Sequence, residues 1–235
     1  LRTDELFDRI TRRKAIEALG RRKDIRAIQP LVDVLACSDT EAVINAISAL
    51  TRIGWSPAPA EHDQLLNLLE SEDVTISRAV IQAFTRLSIK SSASRSCIGE
   101  LCDHESALVS GAARACLSKL YGEKGLMQPL LTQLTDLVAG KRRSAVIDIG
   151  DGGGQCCLPD LVKAAGSMSL RAKSFLQIAE VGGLLEVDFY HDLFKRLLLD
   201  NPLCTEVLFP LRQLELDNFS HEDHANRQHK SNSNE

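Results

Sequence analysis

The sequence has few aromatic residues, few methionines and no long apolar run. Phe, Trp and Tyr make up 4% of its 235 residues, with a single tryptophan and two tyrosines. The most apolar segments are short and interrupted by charged residues, so we expect no membrane span. A low aromatic content beside abundant Leu, Ala and Ile is typical of helices that pack on helices, and a chain of this length can bury a sizeable core without metals or disulfides.

An excess of positive charge is also missing. The chain carries 28 Lys and Arg residues against 32 Asp and Glu residues, which gives a formal net charge of -4. Proteins that bind nucleic acids generally show a basic excess. We therefore expect no nucleic-acid partner.

Cysteine is present, but its distribution shows no disulfide framework. The seven cysteines are odd in number and have no regular spacing. A disulfide scaffold or a structural zinc site would show a recognisable spacing of cysteines, or of cysteines and histidines. The first residues also lack the basic and apolar segments of a secretory signal. The expectation is reduced thiols in a cytosol-like compartment, with no metal site.

An internal repeat is the strongest positive feature. The segment RKAIEALG at 13–20 aligns with RSAVIDIG at 143–150, and similar segments begin at 44, 78, 110 and 171. The central positions of these segments are 31, 34, 32, 33 and 29 residues apart and are occupied by Ala15, Ala46, Val80, Ala112, Ala145 and Ser174. Intervals of this size are typical of two-helix repeat units.

Each of these segments precedes a second apolar segment with helical spacing. Such segments lie at 27–39, 63–73, 126–136 and 157–167, and Pro30, Pro129 and Pro159 stand near the start of three of them. Proline is tolerated in the first turn of a helix, where its missing N–H has no partner. Small residues in the first helices allow close approach, so that stacked units share one core. The sequence predicts an all-α, right-handed α-solenoid of about six two-helix units over residues 1–219.

The end of the chain departs from this pattern. Residues 203–216 can form a capping helix, whereas residues 220–235 contain no large apolar side chain. Such a segment has no core to bury and is predicted to be disordered.

The segment GDGGG at 150–154 could be a phosphate-binding loop or a turn between helices. A Walker loop would continue with Gly-Lys-Ser or Gly-Lys-Thr, and a dinucleotide fingerprint would follow a strand. Neither context is present in the sequence around Gly150. By alignment Gly150 is equivalent to Gly20, so we expect a turn in which glycines end the helix in left-handed conformations.

Asp148 breaks the pattern of the repeat. Four other units carry an alanine at this position, namely Ala18, Ala49, Ala83 and Ala115. An unpaired carboxylate on the packing face of a helix would be costly. One interpretation is that it pairs with Arg142, Arg143 or Arg171; the other is that it binds a ligand.

Arginines recur near the start of the first helices. They are Arg13, Arg78, Arg143 and Arg171. They can form a structural ladder with the acids that end the preceding helices, as Asp73 would with Arg78. Alternatively, they can bind ligand carboxylates, which Arg recognises with two parallel hydrogen bonds. The residues expected to cluster around Asp148 are Arg142, Arg143, Arg171 and Lys173.

Two further groups of side chains are candidates. Cys156 and Cys157 are adjacent, which suits neither a disulfide nor metal binding; one can be buried as a small apolar residue, or one can act as a reactive thiol near cations. Trp55, Tyr121 and Tyr190 are among the few aromatic residues able to stack on a ligand or a partner helix.

The repeat resembles HEAT-like repeats and, more narrowly, those of phycobilin lyases of the E/F type. The segments that carry this resemblance are RKAIEALGRRKDIRAIQPLVDVL at 13–35, RRSAVIDIGDGGGQCCLPDLVKA at 142–164 and MSLRAKSFLQIAE at 168–180. The resemblance to HEAT-like repeats extends over roughly residues 5 to 200.

The resemblance implies a lyase subunit that binds a bilin, phycocyanobilin or phycoerythrobilin, as its substrate and requires no cofactor. The partners it implies are a phycobiliprotein subunit, whose cysteine accepts the bilin, and a second HEAT-repeat subunit in a heterodimer. Some such proteins also isomerise the bilin and others act as chaperones. The implied location is the cyanobacterial cytoplasm or the plastid stroma.

In this interpretation each candidate residue has a role on the concave face. Asp148 hydrogen-bonds the pyrrole N–H groups and manages a proton, and one of Cys156 and Cys157 carries the bilin transiently. The propionates are bound by Arg78, Arg142, Arg143, Arg171 and Lys173, and the rings stack on Trp55, Tyr121 and Tyr190. The alternative is a HEAT-type adaptor whose concave face holds a protein segment and has no small-molecule site.

Overall fold

The computed structural model describes residues 2–182 and 187–199, and within these ranges every regular element is a helix. The α-helices are α1 (Arg2–Arg22), α2 (Ile28–Val34), α3 (Thr40–Ile53), α4 (Pro59–Leu69), α5 (Val74–Leu87), α6 (Ser92–Glu100), α7 (Ala107–Tyr121), α8 (Gln128–Gln133), α9 (Ala139–Gly152), α10 (Leu158–Lys163), α11 (Met168–Gly182) and α12 (Val187–Leu199). Short 3-10 turns lie directly before α2, α8 and α10 and directly after α6.

The helices alternate as the repeat predicts. All six central positions of the repeat lie in odd-numbered helices, and each of these helices is followed by a shorter second helix. Pro30, Pro129 and Pro159 lie in the first turns of α2, α8 and α10. The all-α solenoid of about six two-helix units is therefore confirmed over the described part of the chain.

The ends of the first helices follow from local chemistry. Asp39 precedes α3 and its carboxylate accepts the N–H of Ala42, and Asp73 precedes α5 and accepts the N–H of Thr75. Such caps satisfy donors that have no partner within the helix. Gly54 and Gly122 end α3 and α7 in the left-handed conformation, with φ of 82° and 77°.

The odd-numbered helices pack on one another in series, from α1 to α11. Close approach depends on small residues, as between α1 and α3, where a Cβ on Gly20 would lie 2.7 Å from the Cα of Ala49. Contacts between successive odd helices are more extensive than those between successive even helices. The odd helices therefore form the tightly packed inner layer of the array.

The apolar core consists of two clusters that meet at α7. One cluster extends from α1 to α7 and the other from α7 to α12. Helices α5 and α9 are separated by a complete unit and nevertheless contact each other across α7. The buried polar residues at this crossing form the first candidate site.

The GDGGG segment is more helical than predicted. Helix α9 continues through Gly152, and it ends at Gly153 with an extended backbone (φ -77°, ψ 157°) rather than in a left-handed turn. The helix therefore does end within the segment, as predicted, and only the left-handed conformation is wrong, because Gly150 and Gly152 serve packing. A Cβ on Gly150 would lie 2.6 Å from Oγ of Ser174 on α11, and one on Gly152 would overlap the backbone of Ala115 on α7.

The predictions for the capping helix at 203–216 and the tail at 220–235 lie outside the described residues. Among the helices of the described ranges, none is long and apolar enough to cross a membrane.

Candidate functional site

Asp148 is buried in an ion pair that joins α9 to α5. Its side chain is 1% exposed, and Arg78 donates hydrogen bonds of 2.6 Å from Nη2 to Oδ1 and 3.2 Å from Nη1 to Oδ2. Helix α7 passes beside the pair at Gly111, where a Cβ would lie 2.9 Å from Oδ2 of Asp148. The missing side chain at Gly111 makes room for the pair.

The arginines expected around Asp148 make other contacts. Arg142 donates from Nη1 to the carbonyls of Asp136 at 2.6 Å and Leu137 at 3.0 Å, in the loop before its own helix. Arg171 is buried and donates from Nη1 to the carbonyl of Val162 at 2.6 Å. Arg143 and Lys173 are exposed. The predicted cluster around Asp148 is therefore wrong, because the closing partner comes from two units earlier in the chain.

The structural ladder also differs from its prediction. Asp73 caps its own helix through Thr75, and Arg78 binds the carbonyl of Leu108 and the carboxylate of Asp148 instead. Arg13 does pair across units, but forwards, with Asp39 at 2.6 Å and with Glu41. The acid that pairs with a repeat arginine thus lies in a later unit.

A second ion pair lies further along the same two helices. Arg86 donates from Nε to Oδ1 of Asp151 at 2.9 Å and from Nη2 to Oδ2 at 2.8 Å, and Gln177 on α11 donates to Oδ1 at 2.7 Å. We call the two pairs, Arg78–Asp148 and Arg86–Asp151, the α5–α9 bridge. The sequence analysis missed Asp151, although an acid there replaces the arginine that the first three units carry as Arg21, Arg52 and Arg86.

Burial controls the electrostatics of the bridge. It raises the pKa of Asp148 to about 7, with the neighbouring Asp151 adding to the effect, while the charge and hydrogen bonds of Arg78 and a hydrogen bond from Gln82 oppose it. The pKa of Lys119 on α7 is lowered by burial, which the charge of Asp151 opposes. The crossing is therefore a buried polar network of both signs.

A pocket of ≈ 730 Å³ lies at the ends of α3 and α5, where the chain turns into α4 and α6. We call it the α3–α6 pocket. Its volume is in the range of small-molecule sites in proteins. It is lined by Gly54, Trp55, Ser56, Pro57, Pro59, His62, Asp63, Arg86, Leu87, Ser88, Ile89, Lys90 and Ser91.

Trp55 lines the α3–α6 pocket, and Tyr121 hydrogen-bonds another residue of the lining. Trp55 is 5% exposed and forms part of the pocket lining. The hydroxyl of Tyr121 donates to the carbonyl of Ser91 at 2.9 Å, and Oγ of Ser91 lies 3.2 Å from Nε2 of His62. The guanidinium of Arg95 lies 5.2 Å from the centre of the Tyr121 ring.

Tyr190 is elsewhere. It packs edge-on against Phe175, with ring centres 6.2 Å apart, in the cluster formed by the last helices. The three aromatic residues proposed for stacking are thus split between two regions of the chain.

The adjacent cysteines differ in environment. Cys157 is fully buried, and burial raises the pKa of its thiol to about 12, whereas Cys156 is exposed. A thiol with so high a pKa supplies almost no thiolate at neutral pH. Of the two, Cys156 is the candidate for reaction. Within residues 2–182 and 187–199 no group of three or more His, Cys, Asp and Glu side chains could hold a metal ion.

Comparisons with known proteins agree with this architecture. Residues 11–37 match the family model described as PBS lyase HEAT-like repeat. The chain is 28% identical over 178 residues to an "Uncharacterized phycocyanin operon protein Y" of Pseudanabaena tenuis, which covers 76% of this chain and 41% of that protein. The chain thus spans about two fifths of the length of that relative.

A solved structure shows the same fold. It is the complex of CpcE and CpcF of phycocyanin lyase from Nostoc sp. PCC7120, matched with a TM-score of 0.60 at 18% identity over 79% of this chain and 88% of that chain. The resemblance to lyase-type HEAT-like repeats is confirmed by the family model, the relative and this structure together.

Proposed function

We propose that this chain takes part in attaching the chromophore to a phycobiliprotein, as a lyase-type subunit that binds an open-chain tetrapyrrole. The observation that carries the proposal is the similarity over 76% of the chain to a protein named for the phycocyanin operon. The fold shared with the CpcE and CpcF complex supports it, because that complex is a phycocyanin lyase. The bilin would be phycocyanobilin or phycoerythrobilin, the partners a phycobiliprotein subunit and a second HEAT-repeat subunit.

The reaction asks little covalent chemistry of such a subunit. The acceptor thiol adds across an exocyclic C=C bond of the bilin: a C–S bond forms, the C=C bond becomes a single bond, and the thiol proton ends on the neighbouring carbon. No oxidant or reductant is consumed. Holding the two reactants in place and moving one proton supply the catalysis. Isomerisation of the bilin would require a further proton shift on the same bound molecule.

Asp148 remains the proposed acid and base, but with a condition. A carboxyl with a pKa near 7 suits proton transfer at neutral pH, and burial raises the pKa of Asp148 to about 7. Both its oxygens are bound by Arg78, and its side chain is 1% exposed. Asp148 can therefore reach a bilin only if the Arg78–Asp148 pair opens.

The second candidate function is a HEAT-type adaptor without a small-molecule site. The observation that favours it is the pairing of Asp148 with Arg78, because the buried carboxylate has its hydrogen-bond partners within the protein and needs no ligand. In that case the odd-helix layer holds a segment of a partner protein. Both functions place a phycobiliprotein or a second subunit against the array.

The test is co-production of the chain with a bilin, a second HEAT-repeat subunit and candidate phycobiliprotein subunits. The lyase function predicts a bilin that remains on the acceptor subunit in a denaturing gel, seen by zinc-enhanced fluorescence. The controls omit this chain or replace the acceptor cysteine by serine, and both should remove the signal. A bilin that binds the chain without any transfer supports a chaperone-like role instead, and no bilin binding supports the adaptor.

A further inference from the structure

We propose that the α3–α6 pocket binds a partly apolar molecule through a carboxylate, with Arg86 and Lys90 as the residues that bind it. The inference rests on the proposed function for the identity of the ligand. An open-chain tetrapyrrole is partly apolar and carries two propionates, so it suits a pocket that binds a carboxylate. None of the residues that the sequence placed around Asp148 lines this pocket.

Arg86 is held in a fixed position by Asp151. Its Nε and Nη2 are both held by Asp151, at 2.9 Å and 2.8 Å, and Asp151 is 3% exposed. The side chain of Arg86 is 40% exposed, and Arg86 is one of the residues that line the pocket. Because Asp151 uses only Nε and Nη2, the remaining Nη1 is available to a ligand. A cation held in place before binding loses little freedom when the ligand arrives.

The pocket lining contains a cation, Lys90, for which the described residues supply no partner acid. Lys90 is exposed on the pocket lining, and no acid within the described ranges pairs with it. The acid of the lining is Asp63, which is 78% exposed and lies 3.9 Å from Nδ1 of His62. Lys90 therefore gives the pocket a cation that is uncompensated inside the protein, in the same lining as the positioned Arg86. Carboxylates bind such pairs of cations by charge-assisted hydrogen bonds.

Part of the pocket lining is apolar. Trp55, Pro57, Leu87 and Ile89 contribute to it next to the two cations. A site with apolar walls and a few placed polar groups is typical of small-molecule binding. An inorganic anion would leave these walls without contacts, whereas a pyrrole ring that carries a propionate would use both.

One residue of the pocket wall, Ser88, has a left-handed backbone conformation. Ser88 ends α5 with φ of 55° and Lys23 follows α1 with φ of 52°, whereas the equivalent ends of α3 and α7 are Gly54 and Gly122. A side chain in this conformation costs about 1 kcal/mol, and such strain concentrates at functional sites. The strained residue of α5 is one that lines the pocket.

The experiment uses the fluorescence of Trp55, which is the one tryptophan of the chain. Biliverdin, an open-chain tetrapyrrole with two free propionates, is titrated into the full chain, and biliverdin dimethyl ester serves as the probe without carboxylates. We expect saturable quenching by biliverdin and binding weaker by at least about tenfold for the ester, since hydrogen bonds to a charged group are lost.

The variants locate the site. Lys90→Glu should weaken biliverdin binding by about tenfold or more, because a charge of the wrong sign replaces the cation. Lys163→Glu, on the exposed end of α10, is the matched control and should bind as the parent does. Circular dichroism confirms that both are folded, and Lys90→Gln is the milder variant. Equal affinity of Lys90→Glu and the parent, or of the ester and the free acid, would overturn the proposal.

The same variants separate this inference from the proposed function. If Lys90→Glu loses biliverdin binding and also loses transfer to the acceptor subunit, the pocket is the working bilin site. If Lys90→Glu binds biliverdin and transfers the bilin as well as Lys163→Glu does, the pocket proposal is wrong although the chain is a lyase subunit. If the parent binds biliverdin through Lys90 but transfers none, the pocket stands and the lyase function fails.

Discussion

Arg78 on α5 and Asp148 on α9 form a buried ion pair across the intervening helix α7, between residues 70 positions apart in the sequence. In an array where each unit contacts its neighbours, a bond between units that are not neighbours ties three units together. With the Arg86–Asp151 pair, the α5–α9 bridge joins α5 to α9 at two places.

Removing the acid of the bridge should destabilise the protein strongly. Asp148→Ala leaves Arg78, whose side chain is 13% exposed, without its carboxylate. Breaking one side of a buried ion pair costs roughly 3–5 kcal/mol. Urea unfolding followed by circular dichroism measures the loss. Asp63→Ala, at a side chain that is 78% exposed, is the control and should change stability by less than about 0.5 kcal/mol. A loss of that small size for Asp148→Ala would show that the pair is not formed.

Two glycine-to-alanine changes should act in opposite directions. Gly111→Ala places a Cβ 2.9 Å from Oδ2 of Asp148 and should destabilise the protein by roughly 1–3 kcal/mol, because the carboxylate must shift. Gly99→Ala on α6 meets nothing within 4 Å. It should be neutral or stabilise by up to about 1 kcal/mol, since alanine favours the helix. Equal effects of the two changes in unfolding experiments would contradict the position of Gly111 beside the bridge.

The stability of the protein should depend on pH through Asp148. Its pKa is raised from 3.8 to about 7 in the folded state, so between these values the folded protein binds more protons than the unfolded chain. The contribution of this group to stability therefore falls as pH rises from about 4 to about 7 and is constant above that range. Unfolding at a series of pH values should show this slope in the parent. Asp148→Asn should have a smaller slope, and an unchanged slope would assign the pH dependence to other groups.

The end of α5 offers a stabilising change. Ser88→Gly should raise the free energy of unfolding by roughly 0.5–1 kcal/mol, because glycine adopts a φ of 55° without strain. The reverse change at the end of α7, Gly122→Ser, has no neighbouring atoms to clash with and should cost about 1 kcal/mol through backbone strain alone. If Ser88→Gly proves destabilising, the hydroxyl or the backbone of Ser88 makes a contact that outweighs the strain.

The two adjacent thiols should differ in reactivity. Iodoacetamide added to the native protein should modify Cys156 well before Cys157, because Cys157 is buried and burial raises the pKa of its thiol to about 12. Peptide mass spectrometry measures the order of modification, and the exposed Cys37 serves as an internal standard. Early modification of Cys157 would show that the start of α10 opens in solution.

The sequence was sufficient for the array because its signals are local and periodic. Small residues such as Ala46 and Ala112 recur once per unit, and Pro129 and Pro159 mark the starts of second helices. The cost of burying a lone carboxylate correctly predicted that Asp148 needs a partner. Each of these inferences needs only the chemistry of one unit.

The partner itself could not be predicted in the same way. Asp148 could meet Arg143 in its own helix or Arg78 two units earlier. Which of them it meets depends on how closely the helices of different units approach, and the lack of a side chain at Gly111 leaves room for the pair with Arg78. The α3–α6 pocket was missed for a similar reason, since its cations Arg86 and Lys90 flank a turn that the repeat pattern does not distinguish. The one signal in the sequence was the acid at position 151, because the equivalent position of each of the first three units is an arginine.

We propose that this chain promotes covalent attachment of a bilin, and the mass of the acceptor subunit reports that attachment. Because the thiol adds to the bilin without losing atoms, the account predicts an acceptor subunit heavier by the full mass of the bilin when this chain and its second subunit are co-produced, and an unmodified acceptor when this chain is left out. The same yield of adduct with and without this chain would contradict the claim.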